Sequence, residues 1–89
     1  MELRIDFPKL PENKTLMDMR SDLDAVLADD GWLLTSGQTG ESGFVELELE
    51  DEKQNPKYGI MAVKAYLQRA GFDPYTTIEL AGTKTRIFD

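Results

Sequence analysis

Two stretches of this chain alternate apolar and polar residues without a break. In Glu2-Leu3-Arg4-Ile5-Asp6-Phe7 the apolar set is Leu3, Ile5 and Phe7, and in Phe44 to Glu50 it is Val45, Leu47 and Leu49. Period-two alternation sends the two sets to opposite sides of an extended chain, so each stretch reads as a β-strand with one dry and one wet face. A fold containing them has to cover one sheet face and can leave the other in water.

The intervening segments supply the cover. Pro8 and Pro11 end the first strand, and Thr15-Leu16-Met17-Asp18 reads as a capping box at a helix start. Leu16, Met19, Leu23, Val26 and Leu27 follow at helical spacing, which predicts a helix over residues 15–30 closed by Gly31. Trp32 to Thr35 predicts a short strand. Gly37, Gln38, Thr39, Gly40, Glu41, Ser42 and Gly43 are small, polar or glycine, which predicts a long mobile hairpin tip before the strand at Phe44. Asn55-Pro56 is an N-cap followed by proline, and Ile60, Val63, Leu67 and Ala70 form one helical face up to Gly71, with Phe72 placed to fold back on Leu67. Tyr75 to Leu80 predicts a further strand, and Ala81-Gly82 turns toward a short fifth one over residues 83–88.

The order β-α-β-β-α-β, with a fifth strand at the end, is that of an α+β ferredoxin-like plait filling residues 1–89 as one domain. In that plait the first and third strands lie side by side in the middle, the second and fourth at the edges, and both helices cover one face. Leu3, Ile5, Leu23, Leu27, Val45, Leu47, Ile60, Val63 and Leu67 are the expected core.

Charge and residue usage bound the chemistry. The chain has 89 residues, 17 Asp plus Glu against 10 Lys plus Arg, a net charge of −7, no His and no Cys. Disulfides, Cys/His zinc sites, thiolate nucleophiles and imidazole acid/base chemistry are excluded. The negative balance repels nucleic-acid phosphates and anionic lipid. No apolar run approaches the roughly 20 residues that span a bilayer, and the first fifteen residues lack the pattern of a secretory signal, so a cytoplasmic protein is expected.

Glu46, Glu48 and Glu50 are the candidate contact row. On an open sheet face they stand beside Glu2, Arg4 and Asp6, where only Arg4 offers a counter-charge; the row is either a solvated surface or a place for a basic partner. It lacks the Asp/Asn/Gly loop that wraps a hard cation, so no metal site is expected, nor any cofactor. Asp29 and Asp30 sit at a helix end where carboxylates are unfavourable, which suits either turn formation or a partner contact. Gly37 to Gly43 spells G-x-x-G-x-x-G, but it joins two strands and carries Glu41, so it is read as a hairpin tip or partner-contacting loop and not as a phosphate cradle.

The Gly/Thr/Ser-rich hairpin of residues 35–43, the acidic strand of residues 44–51 and the final Thr-x-Ile-Glu at residues 76–79 resemble small bacterial ferredoxin-like proteins of unassigned role. The resemblance implies a fold and assigns no residue a function. The expected function is a non-enzymatic interaction module presenting an acidic sheet face to a basic protein surface, an inhibitor or immunity-type protein being one form of it. The contrasting expectation is a small-molecule or metal-binding regulatory domain, dimeric through the open sheet face. Neither involves direct contact with nucleic acid or membrane.

Overall fold

The computed structural model describes residues 1–50 and 56–88. Its elements are β1 (Glu2–Phe7), α1 (Leu16–Leu27), β2 (Gly31–Thr39), β3 (Ser42–Leu49), α2 (Pro56–Ala70), β4 (Thr77–Leu80) and β5 (Thr83–Arg86). The strands form one antiparallel sheet in the order β2-β3-β1-β4-β5. Thus β1 and β3 are interior neighbours, as expected. The fourth strand is not an edge, because β5 pairs along its outer side through a two-residue turn at Ala81-Gly82. The proposed N-cap at Asn55 lies outside the described residues.

Alternation places the core where the sequence requires it. Leu3, Ile5, Phe7, Val45, Leu47, Leu49 and Ile78 are buried on the face that meets Met19, Leu23 and Leu27 of α1 and Val63, Tyr66 and Leu67 of α2. Phe72 closes one end, its ring edge-on to Phe7 at 6.1 Å between centroids and tilted against Tyr66 at 6.1 Å. Of the expected core only Ile60 is partly exposed, packed against the cluster's margin. No helix among the described residues is long and apolar enough to cross a membrane.

The helix ends follow local chemistry. Thr15 and Asp18 exchange the two hydrogen bonds of a capping box at 3.2 and 3.0 Å. At the far end of α2, Gly71 takes φ +84°, Gly71 N–H donates to the Gln68 carbonyl and Phe72 N–H to the Leu67 carbonyl, which folds Phe72 into the core.

The first helix departs from expectation. It stops at Leu27, and Ala28, not Gly31, takes the positive φ of 48° with ψ −114°. Asp29 and Asp30 therefore lie in the turn beyond the helix, where Asp30 N–H donates to the Leu27 carbonyl at 2.7 Å. Gly31 opens β2 instead, and it has no room for a side chain because a Cβ there would run into the Glu48 carbonyl oxygen. An alanine at φ 48°, ψ −114° is strained, so Ala28→Gly is expected to raise unfolding stability by about 1 kcal/mol. Denaturant titration checks this, and a loss of stability would mean that the helix end is not built this way.

The hairpin also departs from expectation. Gly37, Gln38 and Thr39 belong to β2, and Ser42 and Gly43 to β3, paired as Gly37↔Phe44, Gln38↔Gly43 and Thr39↔Ser42. Only Gly40 (φ +64°) and Glu41 form the turn, with glycine at its first central position as a type II′ hairpin requires. The flanking glycines serve close approach. A Cβ on Gly43 would lie 2.5 Å from the Gly37 carbonyl oxygen and 2.7 Å from Phe7 Cζ, and one on Gly37 would lie 2.9 Å from Phe44 Cε1.

Candidate functional site

Because the helices occupy one side of the sheet, the other side is open, and the strand registers fix its cross-strand rows. One row is Trp32, Glu48 and Glu2, the next is Glu46, Arg4, Glu79 and Lys84, and the third is Gly37, Phe44, Asp6, Thr77 and Arg86. A β-bulge between Leu33 and Ser36 puts Leu34 and Thr35 opposite Glu46 at the margin of the second row. Trp32 is 49% exposed and Leu34 38% exposed, whereas Leu33 packs against the core.

The face is divided along the strands. Toward the beginning of β1, Glu2, Glu46 and Glu79 surround a shallow hollow of about 490 Å³. Arg4, although paired in register with Glu46, does not neutralise it there. Its Nε donates to both Asp6 carboxylate oxygens at 3.2 Å, and its guanidinium lies over the Phe44 ring at 4.2 Å from the centroid. Glu79 faces Lys84 at 3.9 Å, a well-exposed pair worth little. Glu48 is held by the Met1 ammonium at 2.8 Å.

Toward the hairpin the character changes. Arg4, Asp6, Phe44, Tyr75 and Thr77 line an open groove of about 620 Å³, and Arg86 stands 5.8 Å from the Tyr75 ring centroid. Tyr75 is 70% exposed. Lys84 and Arg86 correct the expectation that Arg4 alone supplies positive charge: the register of β5 brings two more cations to this face.

No match to the chain is found among protein-family models, curated proteins or solved structures.

The sequence candidates fall into two groups. Glu46 and Glu48 stand on the open face with Arg4. Glu50 follows β3 and its N–H donates to the Asp30 carbonyl at 2.7 Å, which brings Asp30 beside the Glu48 end of the sheet, with exposed Asp29 next to it. Gly37, Gln38, Thr39, Gly40, Glu41, Ser42 and Gly43 lie at the hairpin end of β2 and β3, with Gly37 paired to Phe44 two residues from Glu46 and the turn farthest from Asp30. The two groups meet at the 620 Å³ groove, whose lining joins Arg4 to Gly37, Gln38, Thr39, Ser42 and Gly43. Glu2, Glu79, Phe44, Tyr75 and Arg86 were not singled out from the sequence. Alternation marks Glu2 and Glu79 as wet-face residues, whereas the placement of Arg86 needs the β4–β5 register. Among the described residues no group of three or more His, Cys, Asp or Glu is arranged to hold a metal ion.

A separate polar cluster ties the helices together on the opposite side. Asp22 accepts from Lys14 Nζ and from the Tyr66 hydroxyl, each at 2.7 Å. The Lys14 hydrogen bond, followed by that from Tyr66, holds the Asp22 carboxyl below its ordinary 3.8, and burial followed by the Asp22 carboxylate holds the Tyr66 phenol above its ordinary range. A carboxylate whose folded pKa is lowered contributes stability that is present above 3.8 and is lost as the pH falls through the lowered value. Asp22→Asn is therefore expected to be less stable than the parent at neutral pH and to show a shallower loss on acidification below pH 4. Melting temperatures measured from pH 7 to pH 2 check this, and parallel curves would remove Asp22 from the account.

Proposed function

We propose that this chain is a non-enzymatic protein-interaction module that receives a basic partner on the open sheet face. The observation that carries the reading is the uncovered face itself, where exposed Trp32 and Leu34 border the carboxylates of Glu2, Glu46 and Glu79. An apolar margin beside a cluster of carboxylates suits a partner that brings lysine or arginine to the hollow and an apolar group to Trp32. The strand neighbours β2-β3-β1-β4 support a ferredoxin-like plait extended by β5. An inhibitor or immunity-type protein is one form of such a module.

Trp32 is the chain's one tryptophan, so its emission reports occupancy of this face. Titration with a lysine-rich peptide in low salt is expected to shift that emission, with affinity falling as salt rises. Glu2→Gln, Glu46→Gln and Glu79→Gln combined keep the shape, remove the field and are expected to weaken binding by about tenfold or more. Binding that leaves Trp32 unchanged, or that the triple variant does not weaken, contradicts the reading.

A second reading is favoured by the groove at the hairpin end. Arg4 stacked on Phe44 and Arg86 near Tyr75 offer guanidinium and ring surfaces to a small planar anion, as in a ligand-binding regulatory domain. Arg86→Gln would abolish that binding while leaving peptide binding at the acidic end intact.

A further inference from the structure

The two edges of the sheet are defended very differently. β5 is four residues long and presents Lys84 and Arg86, the usual protection of an exposed strand. β2 is nine residues long, and Gly-Trp-Leu-Leu-Thr-Ser-Gly-Gln-Thr holds no charged residue in a chain that is 30% charged. No strand among the described residues pairs with its outer side. Trp32 and Leu34 stand exposed along it.

We propose that the first half of β2 is a self-association edge, at which two copies of this chain pair their strands antiparallel about a two-fold axis at Leu33. Two observations select a second copy as the occupant. The chain carries −7, so copies repel one another over most of their surfaces, whereas the strand itself brings no carboxylate to the seam. A two-fold at Leu33 sets Trp32 of each copy opposite Leu34 of the other, so that the half-exposed apolar residues cover one another on a continuous sheet face.

The bulge after Leu33 limits regular pairing to the first half of the strand. A seam this short falls below the roughly 1,200 Å² of a stable interface, so the dimer is weak and forms at high concentration. It also sets the two open faces side by side in one sheet.

Sedimentation velocity from about 20 µM to about 1 mM, in about 0.05 M and about 0.5 M NaCl, tests the proposal through the screening of self-repulsion. The mass is expected to rise from 10.1 kDa toward twice that value with concentration, and further in high salt. That salt dependence is opposite in sign to the one expected for a basic partner, so failure of either reading is recognised separately. Leu34→Lys is expected to weaken the dimer at least tenfold, and Thr35→Lys, at an exposed neighbour, repeats the test should the first variant fold poorly. Amides of residues 31–34 should gain protection from exchange as concentration rises. A chain that stays monomeric at the highest concentration and salt overturns the proposal, as does a dimer that a folded lysine variant leaves unchanged or that protects none of those amides.

Discussion

Leu47→Ala is expected to cost about 2–5 kcal/mol, a large part of the stability of a domain of this size. Leu47 is fully buried on β3, the strand between β1 and β2, and its register partners Leu3 and Leu33 flank it on the same dry face. Shortening it leaves a cavity between the sheet and the helices that neither layer can close without disturbing its own pairing. Urea unfolding monitored by circular dichroism gives the number. A midpoint close to the parent's would mean that β3 is out of register by one residue, which would exchange Leu47 with Glu46 or Glu48.

Gly43→Ala is expected to cost about 1–3 kcal/mol, although alanine is ordinarily the easier residue to order. The added Cβ meets the Gly37 carbonyl at 2.5 Å on one side and the Phe7 ring at 2.7 Å on the other, and both are fixed, the first by the β2–β3 ladder and the second by Phe72. Gly37→Ala is the informative comparison. Its Cβ meets only the Phe44 ring at 2.9 Å, on the open face where that ring can turn, so its cost should be smaller. Equal and negligible costs would show that the segment is a free loop and not the paired hairpin described above.

These two residues also show how far the sequence carried the structure. Strict alternation in residues 2–7 and 44–49 identified β1 and β3, their register faces and six buried core residues, because a half-buried strand leaves few other ways to arrange such a pattern. The capping box at Thr15 and the glycine-terminated end at Gly71 were legible for the same reason: each is a local hydrogen-bonding device written in consecutive residues. The glycines at 37 and 43 were misread because composition alone does not separate glycine that loosens a loop from glycine that admits a neighbouring backbone or ring. Ala28 carries no signal of the strained turn it occupies, since the conformation is imposed by the need to enter β2.

At the candidate surface the sequence showed which residues face water but not how they are paired. Glu46, Glu48 and Arg4 are on the open face as alternation requires. That Arg4 turns to Asp6 and Phe44, leaving Glu46 without it, depends on side-chain geometry, and that Lys84 and Arg86 share the face depends on a fifth strand in register with the fourth. The result is a face that is acidic at one end and aromatic and cationic at the other.

Exposed carboxylates also stand on α1, at Asp18 and Asp24, but it is the open sheet face that is proposed to receive a basic partner. The most direct measurement is a chemical-shift map of the ¹⁵N-labelled chain titrated with a lysine-rich peptide in low salt. Shifts are expected at Trp32 and its indole, at Glu2, Glu46 and Glu79 and along their strand neighbours, with α1 unaffected. Shifts centred on Asp18 and Asp24, with the open sheet unchanged, would contradict it.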